Sequence, residues 1–475
     1  MPTSNNNSQA GNSLDSQHLT PAQPAGVPSA RWHASSTRDV VKIVQSAIAN
    51  RQRIIVLGNA SEARDCDSTS GRQDPGSVGT SGVLCLDSMN KVIDYPARDM
   101  TITVEAGMTA GQLQQILSTE NQQLPVEFAS SEQTIGSLVS SDTSGPSRFG
   151  YGTLRDYVIG IEAVDGQGRT FQAGGRVVKN VAGYDFCRLM TGSRGQLGIL
   201  THVTFKLKPL PEHSRILVFG FNRLTDVESS LNRLNLSAAT PVILDVMNRR
   251  ASTALLRRSL FDGKLPPDAV DCNFFIVCCV EGSIPVCEFQ IESLCDELHD
   301  DASWKWIEPP YSGRSQIAGA YCQTSMSLQQ PTPNTEWQFK LTTLPSRVVS
   351  SISMLENHAC MVFGRAGNGV LYFRRDRLTA HQSQDADVAN FESPENAVAQ
   401  SWSTIEHTDP GLPEPDIVAA LSAVVEDEIG SVTALKAANS PRSVKGAQSK
   451  RVSELLRKTF DPHGLFVQPA AESAS

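Results

Sequence analysis

The chain has 475 residues, of which 40% are hydrophobic and 19% charged, and its formal net charge is −9. This length predicts two or three domains, and the apolar fraction excludes disorder of the whole chain. The acidic balance argues against a general nucleic-acid binder, because negative charge repels phosphate. The longest purely apolar stretch, Phe274 to Val280, is far shorter than the roughly 20 residues of a membrane-spanning helix.

The first 30 residues are rich in Ser, Asn, Gln, Pro and Ala, and Asp15 is their one charged residue. They lack a basic start followed by an apolar run, so we expect a disordered tail and no signal peptide. Composition and turn residues then divide the chain after this tail. The predicted boundaries are a first domain at 31–211, a second at 212–375, a polar excursion at 376–415 and C-terminal helices at 416–475.

Periodicity predicts the elements of the first domain. A helix is expected at Val40 to Asn50, opened by Ser36, and a second at Thr109 to Thr119. The segment Glu127 to Gly152 has little periodicity and many small residues, so it is predicted to be a long functional loop. The predicted strands are Arg53 to Leu57, Val83 to Leu86, Lys91 to Tyr95, Thr101 to Glu105, Tyr157 to Asp165, Arg169 to Ala173 and Ile199 to Leu207.

Pro209 and Pro211 mark the predicted domain boundary, beyond which strands and helices alternate in an α+β pattern. Strands are expected at Ile216 to Phe221 and Asn273 to Val280, among others. Ile417 to Ile429 and Lys450 to Thr459 are predicted to be helical.

Several kinds of site are not supported by the sequence. There is no Gly-x-Gly-x-x-Gly after a strand, no phosphate loop with Gly-Lys-Ser/Thr and no His-Glu-x-x-His. The ten cysteines include no Cys-x-x-Cys, and they are interpreted as small buried hydrophobic residues. No metal site is therefore predicted.

Three loops of small residues remain as candidates for chemistry. They are Gly58 to Ser61, Thr134 to Ser137 with Ser140 to Gly145, and Gly183–Tyr184 with Gly192 to Leu200. Such loops can present backbone N–H groups to an extended diphosphate cofactor. They can equally be ordinary turns, and the residues alone leave both interpretations open.

A longer motif resembles a known family, and this resemblance favours the cofactor-binding interpretation of the loops. Gly174 to Thr201, which contains Lys-Asn-Val-Ala-Gly-Tyr-Asp, resembles the FAD-binding subunit of bacterial glycolate oxidase. Gly145-Pro146, Val104 to Gly107 and Phe460 to Phe466 are similar to the same family. Its wider relatives are the FAD-linked oxidases of the vanillyl-alcohol-oxidase type.

The resemblance implies an α+β protein with a two-part FAD-binding domain followed by an α+β cap domain. It implies FAD as the cofactor, held non-covalently because the first loop has no His or Cys. The chain departs from the family by having few glycines in the first loop and Ser137 where glycine is usual. The implied cofactor-binding residues are Gly58, Asn59, Ala60, Ser61, Thr134, Ile135, Gly136, Ser137, Ser144, Gly145, Gly183, Tyr184, Gly198, Ile199 and Leu200.

A downstream segment suggests a lost catalytic motif. Phe363 to Tyr372 resembles the family segment that carries two histidines, but Arg365 and Tyr372 stand at their positions. A guanidinium neither ligates a metal nor accepts a proton near neutral pH. Arg365 is therefore a candidate for binding a substrate carboxylate, with a surface or partner-facing arginine as the alternative, and no catalytic residue is assigned.

The resemblance implies a subunit of a glycolate oxidase-like complex that oxidises a 2-hydroxy acid. The partners implied are a sister flavoprotein subunit that carries the base and an iron–sulfur subunit, since this chain has no iron–sulfur motif. The expected location is cytoplasmic, with attachment to the inner face of the membrane through these partners left open. The alternatives are a self-sufficient FAD oxidoreductase for another small alcohol or acid, and a non-catalytic scaffold subunit.

Overall fold

The computed structural model describes ten segments of the chain: residues 30–57, 81–175, 185–261, 263–310, 313–332, 334–355, 360–377, 431–436, 443–444 and 455–466. Several predicted features lie outside these segments. They are the loop Gly58 to Ser61, the pair Gly183–Tyr184, the helix predicted at Ile417 to Ile429, the tail up to residue 29 and nearly all of the polar excursion.

The described residues of the first domain form three sheets. Its strands are β1 (Ala30–His33), β2 (Arg53–Leu57), β3 (Ser81–Cys85), β4 (Val92–Asp94), β5 (Thr101–Glu105), β6 (Gln122–Gln123), β7 (Val158–Val164), β8 (Thr170–Gly174), β9 (Ile199–Lys206) and β10 (Lys208–Pro209). Its helices are α1 (Thr37–Ala49), α2 (Ala110–Ser118), α3 (Ile135–Ser141), α4 (Arg148–Tyr151) and α5 (Phe186–Met190).

The three sheets differ in strand direction and size, and the smallest is the antiparallel pair of β6 and β10. Strands β1, β3 and β2 form a small parallel sheet, and β4, β5, β9, β7 and β8 form an antiparallel sheet in that order. Helix α1 begins after Ser36, whose side chain accepts a bond from the Asp39 amide, and it buries Val40, Val44 and Ala47. The predicted start of this helix is thus confirmed.

The second domain is built on one antiparallel sheet. Its described strands are β11 (His213–Phe221), β12 (Ile243–Asn248), β13 (Phe274–Gly282), β14 (Trp304–Ile307), β15 (Thr335–Thr342), β16 (Met361–Arg365), β17 (Val370–Asp376), β18 (Ser431–Lys436) and β19 (Ser443–Val444). Its described helices are α6 (Leu224–Leu234), α7 (Arg249–Ser259), α8 (Ile284–Glu297), α9 (Gln316–Leu328) and α10 (Val348–Leu355).

Among these residues the strand order is β14-β11-β13-β12-β16-β17-β15-β18-β19. The helices cover both faces, with α6, α8 and α10 in one apolar cluster and α7 and α9 in the other. Strand β18 corrects the domain prediction, which assigned its residues to C-terminal helices. Its alternating Val-Thr-Ala-Leu sequence pairs with β15 and extends the second sheet.

The last described residues return to the first domain. The Ile54 amide donates to the Leu465 carbonyl at 2.9 Å, and Phe466 forms a parallel bridge with Ile54 at the edge of β2. The Phe460 ring packs edge-on against Phe186 with the two centroids 6.0 Å apart. Two distant parts of the sequence thus complete one domain.

Helix α4 joins the two domains. The Gly150 amide donates to the Val242 carbonyl at 3.0 Å, and the Tyr151 hydroxyl donates to the Glu281 carboxylate. Gly367 lies so close to Phe149 that an added β-carbon would be 2.1 Å from the ring. In the described segments, no helix is both long and apolar enough to cross a membrane.

Candidate functional site

Helix α3 lies within the segment that the sequence predicts to be a loop. Thr134 precedes the helix, and its hydroxyl accepts a bond from the Ser137 amide at 3.3 Å. The amides of Ile135 and Gly136 donate to the carbonyls of Met108 and Ala106 at 2.8 and 2.7 Å. These two amides are thus already bonded within the protein. We therefore expect Ser137 and the later residues to provide any cofactor contacts from this segment.

The second and third predicted loops lie side by side. The Gly192 amide donates to the Val139 carbonyl at 3.0 Å, and the Arg194 amide donates to the Ser140 carbonyl at 2.8 Å. Gly192 and Gly195 have φ of 81° and 70°, a conformation that side chains with a β-carbon rarely adopt. The glycines therefore allow the third loop to follow the end of α3.

Strand β9 is linked to the start of α3 through Ala106. The Ala106 amide donates to the Thr201 carbonyl at 2.9 Å, while the Ala106 carbonyl accepts from Gly136. Gly198, Ile199 and Leu200, which precede Thr201, are thereby held near Thr134 to Ser137; their contact with the cofactor stays a prediction. The structure does not describe the other two parts of the predicted site, Gly58 to Ser61 and Gly183–Tyr184.

Ser144 and Gly145 follow α3, and Gly145 lies against Glu127. A β-carbon at Gly145 would lie 2.1 Å from the Glu127 Oε2 atom, so glycine is needed for this close approach. The Glu127 Oε1 atom accepts a bond from the Ser147 amide at 3.1 Å, and Ser144 accepts one from Arg148 at 3.3 Å. This turn directs Arg148 toward the second domain.

Four buried polar atoms beside these segments have no hydrogen-bond partner within the described residues. They are Gln133 Oε1, Asp142 Oδ1, Arg148 Nε and Ser193 Oγ. Buried polar groups are normally satisfied, so unpaired atoms in one region indicate that a polar ligand completes them. This mixed set of donors and acceptors fits FAD, which carries a diphosphate, hydroxyl groups and a ring with polar edges. The described residues that would hold it are Ser137, Ser144, Gly145 and Gly198 to Leu200, whereas Thr134 is buried and caps α3.

A pair of cations faces this region at the domain interface. We define Arg148 of α4 and Lys340 of β15 as the cation pair. Burial lowers the pKa of Lys340 to about 8, and repulsion from Arg148 acts in the same direction. Burial likewise lowers the pKa of Arg148, whereas it raises the pKa of Asp142 against the attraction of Arg155 and Arg148. Positive charges held away from water in this way favour binding of an anion.

Sequence reasoning did not identify the cation pair. Lys340 occurs in Trp-Gln-Phe-Lys-Leu, where a lysine between two apolar residues is ordinary for a strand with one exposed face. The local sequence does not show that β15 lies inside a sheet that helices cover on both faces, so the burial of Lys340 could not be predicted from it. The other missed residues are Asp142, Asp245 and Tyr321.

Arg365 is 1% exposed, so the alternative of a surface or partner-facing residue is wrong. Its Nη1 atom lies 2.6 Å from Asp245 Oδ2, and its Nη2 atom donates to Ser325 at 3.0 Å. The Tyr321 hydroxyl also donates to Asp245 at 2.7 Å. Burial raises the pKa of Asp245 to about 6 against the attraction of Arg365. The Arg365 guanidinium is thus held by the second domain itself, and its role toward substrate stays a prediction.

Tyr372, the other residue at a predicted histidine position, is also buried. Its ring stacks on Phe363 with the centroids 5.3 Å apart, and its hydroxyl donates to Gln329 at 2.9 Å. In the described part of the chain, no three His, Cys, Asp or Glu residues are grouped so that they could hold a metal ion.

Comparison with known proteins identifies the class of the first domain. Residues 28–174 match the model of the FAD binding domain family. The chain is also similar in structure to an alkyldihydroxyacetonephosphate synthase, with a TM-score of 0.58 and 15% identity over 92% of this chain and 75% of that one. That likeness concerns the fold alone. The predicted α+β fold, with a FAD-binding domain of the vanillyl-alcohol-oxidase type, is confirmed, and so is FAD as the cofactor.

The chain is also similar in sequence to several named oxidases and dehydrogenases. Glycolate oxidase subunit GlcE of Escherichia coli is 34% identical over 173 residues, which cover 36% of this chain and 47% of that protein. Glycolate oxidase subunit GlcD of Bacillus subtilis is 28% identical over 249 residues, with coverages of 52% and 51%. A D-2-hydroxyglutarate dehydrogenase of Xanthomonas citri is 35% identical over 148 residues, with coverages of 30% and 31%.

The chain spans about half or less of the length of these curated relatives. The matches support a place in the FAD-linked oxidase superfamily without selecting one member. The particular substrate and assembly are therefore matters for proposal.

Proposed function

We propose that this chain is the FAD-binding subunit of a glycolate oxidase-like complex, which oxidises a 2-hydroxy acid to the 2-oxo acid. The observation that carries the proposal is the cation pair, which lies beside the predicted FAD segments at the domain interface. The similarity to proteins named glycolate oxidase subunits and 2-hydroxy acid dehydrogenases supports the same substrate class.

The cation pair suits the carboxylate of a hydroxy acid. Arg148 Nε has no partner within the described residues, and its Nη1 atom makes one bond, to the Ser144 hydroxyl. A hydrogen bond between a guanidinium and a carboxylate is about twice as strong as a neutral one, and burial strengthens it. When bound, FAD supplies a two-electron oxidant for the carbon that bears the hydroxyl group. The protein's part is to fix the carboxylate so that this carbon faces the cofactor.

The proton acceptor is proposed to lie on a sister subunit. By the resemblance of Phe363 to Tyr372 to the family segment, Arg365 and Tyr372 replace the two histidines, and both are buried and hydrogen-bonded within the second domain. A guanidinium paired with Asp245 cannot take the hydroxyl proton. We further propose non-covalent binding of FAD, an iron–sulfur partner that receives the electrons, and a cytoplasmic location.

Purification of the chain alone tests this function. We expect a yellow protein whose flavin absorbance stays unchanged when glycolate is added without oxygen, and bleaches once the sister subunit is present. Bleaching by glycolate with this chain alone would instead indicate a self-sufficient oxidoreductase. A colourless protein with no thermal shift on addition of FAD would overturn the proposal and leave a scaffold role.

Binding of glycolate is expected to weaken as pH rises from 7 to 9. Lys340 holds its proton below its pKa of about 8 and loses it above that value, so one of the two positive charges disappears. Calorimetric titration of the FAD-loaded protein with glycolate at constant ionic strength measures the effect. In Lys340→Arg the charge persists across this range, and the pH dependence should flatten. An equally steep dependence in this variant would show that another group titrates.

A further inference from the structure

Helix α4 of the first domain straddles one end of the second sheet. Phe149 packs on the apolar cluster of α6, α8 and α10, whereas Tyr151 packs on the cluster of α7 and α9. The Gly150 amide donates to the Val242 carbonyl just before β12, and the Tyr151 hydroxyl donates to the Glu281 carboxylate in β13. The helix is therefore held by both sides of this sheet.

Arg148 begins the same helix, which has four residues. It lies three positions before Tyr151, so the two side chains lie on the same side of the helix. The Gly152 amide donates to the Arg148 carbonyl at 2.9 Å, and the Tyr151 amide donates to the Ser147 carbonyl at 3.0 Å. Because these bonds close a helical turn, a movement of Tyr151 away from Glu281 also moves Arg148.

The side chain of Arg148 has few anchors of its own. Its Nη1 atom donates to Ser144 at 3.3 Å, and its Nε atom has no partner among the described residues. Within the described part of the chain, this side chain makes no hydrogen bond to the second domain. Lys340 of that domain repels it. Since like charges alone would separate the cation pair, its arrangement depends on the contacts that α4 makes elsewhere.

The bond from Tyr151 to Glu281 is shielded from water and braced from the first domain. Burial raises the pKa of Glu281, and burial together with the Glu281 charge raises the pKa of the Tyr151 hydroxyl. Water therefore competes little for this bond. On the other side, the Tyr157 hydroxyl donates to the Tyr151 carbonyl at 2.8 Å, and Lys208 Nζ lies 5.8 Å from the centre of the Tyr151 ring.

We propose that Tyr151 and Glu281 are positioning residues of the hydroxy acid site, because their bond holds Arg148 beside Lys340 against the repulsion between the two cations. This inference rests on the proposed function and names two residues that act on the substrate through Arg148. With the bond intact, a carboxylate meets both cations already in place. Without it, Arg148 is free to move away from Lys340, and binding must first bring the charges together.

Tyr151→Phe removes the hydroxyl and keeps the ring. For the FAD-loaded chain, we expect the dissociation constant of glycolate to rise about ten-fold, the effect of losing one hydrogen bond to a charged group. Glu281→Leu breaks the same bond from the other side and should give a similar loss, so the test does not depend on the folding of one variant. Calorimetric titration measures both.

Two further variants keep the clasp between the domains. Glu281→Gln retains an acceptor oxygen for the Tyr151 hydroxyl, and it should bind glycolate within about three-fold of the unmodified chain. Tyr95→Phe is the matched control, because it removes a hydroxyl that donates to Gln122 at 3.1 Å within the first domain. It should leave the affinity unaltered.

A double variant tests whether Tyr151 acts through Arg148. In the Arg148→Met background, Tyr151→Phe should change the affinity for glycolate less than about two-fold, since the group that it positions is gone. A full ten-fold loss in this background would overturn the inference, because Tyr151 would then affect the site by another route.

The pKa of Lys340 gives a second measurement that needs no substrate. Burial and then repulsion from Arg148 lower this pKa to about 8. Tyr151→Phe should raise it, because Arg148 moves away, and Arg148→Met should raise it as well. An NMR titration of the FAD-loaded chain with carbon-13-labelled lysine measures the change, and Lys340→Arg identifies the signal. The other charges that act on Lys340, which none of the positioning variants alters, are Asp142, Arg194 and Arg365.

The two measurements separate this inference from the proposed function. If glycolate binds and Tyr151→Phe changes neither its affinity nor the pKa of Lys340, the inference is wrong while the proposed function stands. A loss of affinity with an unchanged pKa would also overturn it, because Arg148 would not have moved. If the pKa rises in Tyr151→Phe but glycolate does not bind the unmodified chain, the bond holds Arg148 as inferred and the proposed function is wrong.

Discussion

Replacing Asp245 with alanine is expected to lower the free energy of unfolding by about 3–5 kcal/mol, because the positive charge of Arg365 would stay buried without its partner. Both side chains are 1% exposed, and their closest atoms are 2.6 Å apart. At about 2–4 °C per kcal/mol, the melting temperature should fall by roughly 6–20 °C. Equilibrium unfolding in urea, followed by fluorescence, measures the change.

Two further variants test the cause of this loss. Asp226→Ala removes a carboxylate from an ion pair whose Arg223 is 75% exposed, and it should cost less than about 1 kcal/mol. The double variant Asp245→Leu with Arg365→Met removes both buried charges and should recover most of the stability. If Asp245→Ala were as mild as Asp226→Ala, the buried ion pair would not contribute as described.

Substituting Arg148 with methionine is expected to raise the dissociation constant for the hydroxy acid by about 10- to 100-fold. A charge-assisted hydrogen bond contributes about 1.5–3 kcal/mol, and each 1.4 kcal/mol corresponds to a factor of ten. The melting temperature should not fall, since burial already disfavours the charged form of Arg148, as its lowered pKa shows. Calorimetric titration and thermal unfolding of the FAD-loaded protein separate the two effects.

The matched control for Arg148 is Arg38→Met, the same change at an exposed position of α1. It should leave both the affinity and the melting temperature unaltered. Equal loss of affinity in the two variants would mean a general effect of net charge. An unchanged affinity in Arg148→Met would contradict the placement of the carboxylate at the cation pair.

The regular elements were predictable where the determinants are local. Thr109 and Gln112 form a capping box at the start of α2, and that spacing is visible in the sequence. Helix α3 was missed because its residues, Ile135 to Ser141, include Gly136 and three serines. Its position depends on bonds from Ile135 and Gly136 to a distant segment, which no local pattern reveals.

The charged residues of the site were hidden for a similar reason. Asp245 and Arg365 are 120 positions apart, and they meet because β12 and β16 pair in a register that sets them opposite each other. Lys340 and Tyr372 are opposed in the same way across β15 and β17. The register depends on the whole sheet, so the local sequence does not reveal which residues lie opposite each other on neighbouring strands.

The cofactor was predictable because a long motif with specific residue types carried the resemblance. The individual contacts to FAD stay predictions. The structure brings the described parts of the second and third loops together, while Gly58 to Ser61 and Gly183–Tyr184 lie outside the described residues.

The bond between Ile54 and Leu465 has a consequence for the order in which the protein forms on the ribosome. The neighbour of strand β2 at the sheet edge is synthesised about 411 residues after Ile54 itself. At roughly 5–20 residues per second, this edge stays open for about 20–80 s in each new chain. An unpaired edge strand can join the strands of other molecules, so we expect the new chain to be prone to aggregation during this interval.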